Sequence, residues 1–295
     1  MTVGSRPKLA SLALLIAALS SAAASSIVSS SAAVAAPTLL PHRATYNISL
    51  IDARAGAGVS ELSGRMVYEL TGSECAGYTQ TMRFVTRTTN QEGTISLSDL
   101  RSSSWEDSAG DRFRFNSSQY RNDALSEQTV GEATRRKRPS EIRVELTKPK
   151  RKVVKVAADA MFPIQHSMNL LKAARDGRSV LATDLFDASE SGEKVYATNA
   201  FIGPRREAGY NKSLEKAMGS DNLDTVSAWP VAMSYFEKGT EKTDAVPSYE
   251  LAFVLFDNGV SRRIRIDYGD FSIRGDLKEL VMLEAAKCEP AANKK

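Results

Sequence analysis

The stretch Met161–Leu171, MFPIQHSMNLL, holds His166, one of two histidines in the chain. An imidazole titrates near neutrality and is the commonest general base. A base needs a nucleophile or a polarised substrate beside it, and no Gly-x-Ser-x-Gly elbow occurs. The other histidine, His42, falls in the frayed start of the mature chain, apart from His166. His166 is therefore read as a structural residue that bonds a carbonyl or carboxylate from beneath a helix. A second set of matches lies in SLEKAMGSDN. Ser213-Leu214-Glu215-Lys216 fits Ser-x-x-Lys and Ser220-Asp221-Asn222 fits Ser-Asp-Asn, both known from penicillin-recognising enzymes. In those enzymes the motifs converge from separate elements; here they are nearly contiguous, Lys-Thr-Gly is missing, and the match is coincidental. The residues name no catalytic set, no cofactor and no metal site.

The remaining candidates concern binding and cross-linking. Basic clusters RRKRP (Arg135–Pro139) and KPKRK (Lys148–Lys152) flank one strand and have the composition of anionic-headgroup contacts. The alternative, favoured here, is a solvated hairpin whose lysines discourage edge-to-edge pairing. Two cysteines, Cys75 and Cys288, complete the set. Their spacing is not Cys-x-x-Cys and no histidine adjoins either, so redox-pair and metal readings rank below a single disulfide enclosing nearly the whole domain. Asn47, Asn116 and Asn211 begin N-x-Ser patterns, which matter only in a eukaryotic secretory path; the short Ala/Ser-rich leader reads as bacterial.

These residues must be held by elements, and the N-terminus says where. Arg6 and Lys8 precede an apolar run from Leu9 to Leu19, and Ala33-Val34-Ala35 is a small-x-small cleavage signal. Residues 1–35 thus read as a secretory signal peptide, cleaved after Ala35, and 36–295 as a single β-rich periplasmic domain. The apolar run is shorter than the ~20 residues that span a bilayer, and no later run replaces it, so no stable membrane insertion is expected. With the leader gone, the formal net charge of +4 loses the contributions of Arg6 and Lys8. A near-neutral surface gives no electrostatic drive toward nucleic acid.

Period-two alternation dominates what remains. In EIRVELT, Ile142, Val144 and Leu146 share one face and Glu141, Arg143 and Glu145 the other, the pattern of a half-buried strand. Phe113 and Phe115 alternate with Arg112 and Arg114. Asp257-Asn258-Gly259 turns a hairpin after which Ile264, Ile266 and Tyr268 face the core and Arg263, Arg265 and Asp267 face water. Similar patterns run over Ala44–Ile51, Val59–Leu70, Tyr78–Thr88, Thr94–Leu100, Val195–Ile202, Val226–Phe236 and Ile273–Leu283. One amphipathic helix interrupts them from Pro163 to Ala174, with Pro163 in its first turn and Gly177 as its stop. The polar, Gly-punctuated segment Gly203–Asp224 reads as a long connection with one short helical turn, or a mobile loop.

FPIQH with LLKAARDG, GEKVYATNAFIG, WPVAMSYF, PSYELAFVLFDNGVSRRIRIDYGDFSIRGDL and the final cysteine together resemble the cell-envelope-integrity EipB-like family of alphaproteobacteria. The resemblance covers nearly all of the mature chain and is strongest from Met161 to Cys288. It implies a mainly β, spiral-like broken antiparallel β-barrel of about fourteen strands around one central amphipathic helix. It also implies one disulfide, carried here by Cys75 and Cys288. Phe162, Pro163 and His166 carry over as motif residues of unassigned structural or binding role. The implied function is noncatalytic support of envelope integrity from the periplasm, as a scaffold or binding module with a periplasmic tetratricopeptide-repeat partner. The alternative is a carrier that holds a lipid, acyl chain or lipoprotein in a half-barrel cavity, which requires an interior left unfilled by side chains. A hydrolase of envelope polymer is the weakest reading, because no carboxylate pair or nucleophile constellation stands behind it.

Overall fold

The structure, a computed structural model, describes residues 38–238 and 246–288. The leader expected in residues 1–35 lies outside them. Alternation becomes strand wherever one face can be buried. In β1 (His42–Ala53), Ala44, Tyr46 and Ile48 are buried between exposed Arg43 and Asn47. From there β2 (Glu61–Ser73), β3 (Gly77–Thr89), β4 (Ile95–Glu106), β5 (Arg112–Arg121), β6 (Ala124–Arg136), β7 (Glu141–Lys148) and β8 (Lys152–Ala157) follow as one meander. A helix, α1 (Pro163–Arg175), interrupts it. A second meander then runs through β9 (Val180–Leu185), β10 (Tyr196–Ile202), β11 (Ala228–Glu237), β12 (Tyr249–Phe256), β13 (Ser261–Asp267) and β14 (Phe271–Met282).

All fourteen strands form one antiparallel sheet, because β14 returns to pair along β1 from Met282 opposite His42 to Phe271 opposite Ala53. The two edges are β8 and β9, the strands on either side of α1. The connection from β8 to α1 touches β9 at one point: Met161 bridges Leu185 in parallel, with Met161 N donating to Asp184 O at 2.8 Å and Phe186 N to Met161 O at 2.9 Å. The rolled sheet is thus a broken barrel. Strands β6, β8 and β9 escape the alternation read from sequence. In β6, ALSEQTVGEATRR carries few apolar residues, while β8 and β9 are short edges.

The helix occupies the interior. Of its 13 residues only Lys172 is exposed, and Ile164, Leu170, Leu171, Ala173 and Ala174 are buried. A helix with one exposed residue is enclosed by the sheet, its polar Gln165, His166 and Ser167 included. Asp176, Gly177 and Arg178 close its last turn by donating backbone bonds to Lys172 O, Ala174 O and Ala173 O. Arg175 ties that end to the β12–β13 turn through Asp257, 2.6 Å to the carboxylate and 3.1 Å to the carbonyl.

Of the two readings of the segment Gly203–Asp224, a long connection with one short helical turn is nearer than a mobile loop. It forms two short 3-10 turns, Tyr210–Ser213 and Ser220–Leu223. Met218 bridges β14 beyond the reach of the short β13, its N–H donating to Lys278 O at 3.0 Å and its carbonyl accepting from Leu280 N at 2.8 Å. Leu214 and Leu223 complete a core cluster with Tyr46, Phe256 and Leu277. The buried Arg262 guanidinium fastens the segment to β13 by donating to Asn211 Oδ1 and Glu215 O. Sequence alternation assigned Arg263 and Arg265 to solvent, where both remain, but left Arg262 unremarked.

Candidate functional site

The opening of α1 carries no Ser, Thr, Asp or Asn cap; the residue before Pro163 is the extended Phe162, and the first turn has no acid of its own. Exposed N–H groups at a buried helix start must find an acceptor elsewhere. Glu106, the last residue of β4, supplies it. One carboxylate oxygen accepts from Ile164 N at 2.8 Å and the other from Gln165 N at 3.0 Å. Glu106 is 1% exposed. Burial pushes its carboxyl up to about 7, against the pull of those two N–H bonds and of Arg135. Arg135 in turn donates to Gln165 Oε1 and Ala160 O, each at 3.1 Å, and lies over the Phe162 ring at 5.1 Å. Gly110, at φ +66°, makes room: a Cβ there would strike the Gln165 amide.

One turn along, His166 Nε2 lies 3.1 Å from Thr198 Oγ1 on β10. Thr198 gives its own proton to Thr183 O at 2.9 Å, so the hydroxyl oxygen accepts from His166 Nε2–H and Nδ1 is left bare. Burial alone depresses this imidazole to about 4. The ring is neutral near pH 7 and joins helix to sheet. His42 departs from the expectation of a frayed terminus. As the first residue of β1 it is 2% exposed, donates Nδ1–H to Leu40 O at 2.7 Å, and lies tilted against the Tyr68 ring, centroids 5.6 Å apart. The pairing of β1 with both β2 and β14 anchors it.

The two histidines, distant in sequence, line one cavity of about 330 Å³ between α1 and strands β1, β2, β3, β11, β12 and β13. Its other walls include Met66, Leu170, Leu251 and Phe253. A neighbouring cavity of about 440 Å³ is walled by the inner faces of β2–β6 and by the segment after β9, with Ser102, Gln119, Asp187 and Glu190 among its linings. The interior is therefore not filled by side chains.

Of the motif residues, Phe162 is fully buried, stacks on Phe113 at 5.2 Å and meets Phe186 edge-on at 6.4 Å. Pro163 takes the first helical position and lines the larger cavity. Cys75, in the β2–β3 turn, is disulfide-bonded to Cys288 with their Cα atoms 5.6 Å apart. The hydroxyls of the coincidental motifs serve local turns: Ser213 donates to Tyr210 O, and Ser220 accepts from Ala217 N. Asn211, in an N-x-Ser pattern, is buried and donates to Ser220 O and Asp224. The basic clusters sit in turns at opposite ends of β7, and Arg135 is spent inside. Among the described residues no group of three or more His, Cys, Asp or Glu is placed to hold a metal ion. Glu106 and Asp187 were missed. An uncapped helix start is a sequence signal that an outside acceptor is needed; it does not say which acid supplies it.

The EipB-like family model matches residues 33–284. The chain belongs to the EipB-like family. A relative, the cell envelope integrity protein EipB of Brucella abortus (strain 2308), is 36% identical over 260 residues, covering 88% of this chain and 90% of that protein. The crystal structure of a beta-barrel-like protein of a domain of unknown function, DUF1849, also from Brucella abortus, superposes with a TM-score of 0.77 at 36% identity. That superposition covers 83% of this chain and 99% of the other. The EipB-like assignment and the broken-barrel architecture implied by the sequence motifs are thereby confirmed.

Proposed function

We propose that this chain is exported to the periplasm and supports cell-envelope integrity there without catalysis, as a scaffold or binding module. The observation that carries this reading is its 36% identity, over most of both chains, to a protein named for cell envelope integrity. The disulfide suits an oxidising compartment. The most reactive-looking groups, His166 and Glu106, are engaged with Thr198 and the helix N-terminus, which suits a structural node better than a reaction centre. Among the described residues no helix is long and apolar enough to cross a membrane. Deleting the gene should sensitise the cell to detergent, and the full chain, but not one lacking residues 1–35, should restore resistance. Restoration by the leaderless chain would defeat the periplasmic assignment.

For partners, β8 pairs only with β7 and offers an edge to an extended segment or helix. The expected partner is a periplasmic tetratricopeptide-repeat protein, bound saturably and without regard to nucleic acid. Purified proteins that fail to associate at micromolar concentration would count against it. A second reading, binding of a lipid, acyl chain or lipoprotein, is favoured by one observation, the unfilled apolar cavity of about 330 Å³ beside α1.

A further inference from the structure

The two interior cavities adjoin, with Tyr68, Gln80 and Met82 in the lining of both. They differ in chemistry. The smaller is walled mainly by aliphatic and aromatic side chains, with His42, Gln80, His166, Ser167 and Ser261 among its polar groups. Both imidazole rings are more than nine-tenths buried, each bonds the protein through one nitrogen, and each keeps a second nitrogen without a partner among the described residues. The larger is lined with hydroxyls and amides, including Ser102, Ser104 and Gln119, and with the carboxylates of Glu127, Asp187 and Glu190. Among the described residues no lysine or arginine lines either cavity. Glu190 is matched by Lys194. Asp187 accepts from Ser189 N at 3.0 Å and meets no cation among the described residues.

We propose that the interior binds a single-chain amphiphile with a cationic amine head, its hydrocarbon tail in the smaller cavity and its head in the larger one against Asp187. This rests on the second reading above and deepens it. At about 330 Å³ the apolar cavity stands at the small end of ligand pockets and takes one chain rather than two. The head follows from charge. A carboxylate or phosphate brought into the larger cavity would lose its hydration and gain no positive partner, whereas an ammonium gains a surround of hydroxyl acceptors and the Asp187 carboxyl, which burial pushes up in the empty cavity and a cation beside it would hold ionised. The Tyr68 hydroxyl, which accepts from Gln80 at 2.8 Å and lines both cavities, supplies a polar contact where tail and head join.

The test is calorimetric titration of the mature protein at pH 7.5 with dodecylamine and with dodecanoate, each below its micellar concentration. Dodecylamine should bind saturably and at least about tenfold more tightly than dodecanoate. Asp187→Asn should erase that preference, and Leu251→Trp, which fills the apolar cavity, should weaken binding of the amine. Equal binding of the two probes, or an unchanged preference in Asp187→Asn, overturns the head assignment; no binding of dodecylamine overturns the proposal entirely. Leu251→Phe replaces the Trp variant if melting curves show that it does not fold, and the comparison of probes on the unmodified protein needs no variant. Detergent resistance of complemented deletion cells is scored separately. Rescue by a protein that binds neither probe removes the ligand and leaves the envelope role standing.

Discussion

His166 and Glu106 are two buried titratable groups at one helix start, and burial moves them in opposite senses. If His166 serves by joining α1 to Thr198, Gln, which keeps a polar group of similar reach, should preserve detergent resistance. Ala should lower stability by about 1–3 kcal/mol by leaving the Thr198 oxygen short of a partner. A secreted, folded His166→Gln protein that fails to complement would instead give the imidazole a chemical role. Acid titration separates the two groups. The raised carboxyl of Glu106 contributes stability that is fully present below about 4.5 and lost as pH rises through about 7. The depressed imidazole of His166 contributes stability present above 6.5 and lost as pH falls through about 4. His42 acts in the same sense as His166, and Asp187 in the same sense as Glu106. Between pH 6.5 and 4 the contributions offset one another. Glu106→Gln should unmask the histidine loss, roughly 3 kcal/mol at His166, as a steeper fall in melting temperature than the unmodified protein shows. Parallel melting curves for the two proteins would rule out titration of Glu106 in this range.

At the scale of the element, α1 is held at both ends by side chains from the sheet and along its length by apolar contacts. Phe162 is the pin at its start, packed among Phe113 and Phe186 with Arg135 on its face. Phe162→Ala should destabilise the fold by about 3–5 kcal/mol, and Leu171→Ala, at a fully buried site, by about 2–5 kcal/mol. Lys172, the one exposed residue of the helix, should tolerate Ala to within about 0.5 kcal/mol despite its ion pair with Asp176. Urea denaturation of the three variants measures the ordering. A Lys172→Ala loss as large as that of Phe162→Ala would mean that the helix is not seated as described.

The molecule as a whole is an open sheet held closed by few devices. The Met161–Leu185 bridge ties the β8–α1 connection to the edge strand β9, the Gly203–Asp224 segment extends the sheet beside β14, and Cys75–Cys288 links the β2–β3 turn to the segment after β14. The linked residues lie 213 apart in sequence. Closing so long a loop favours the fold by roughly 5 kcal/mol, an upper estimate because the denatured chain is not structureless. Mass mapping of the protein purified without reductant should find the two cysteine peptides joined, and reduction should lower the melting temperature. Two free thiols in that protein would contradict the bond.

The sequence by itself determined the elements whose signal is local. Alternation in EIRVELT and around Asp257-Asn258-Gly259 marks strands because each residue needs only to know which face is dry. The spacing of Ile164, Met168 and Leu171 marks α1 in the same way, and the combination of motifs identified the family. Polar β6 and the short edges β8 and β9 were not legible, since their pairing partners, rather than their own pattern, hold them in the sheet. Tertiary structure alone decided what lies across the interior from what. Alternation says that Ile264 and Ile266 point inward, but period two is the same around a filled barrel and a hollow one. Only the return of β14 to β1 rolls the sheet so that both histidines face one cavity, and only the seating of α1 brings Glu106 to a helix start 58 residues away. Those contacts are non-local, and their free energy depends on surfaces that do not exist until the sheet has closed around the helix.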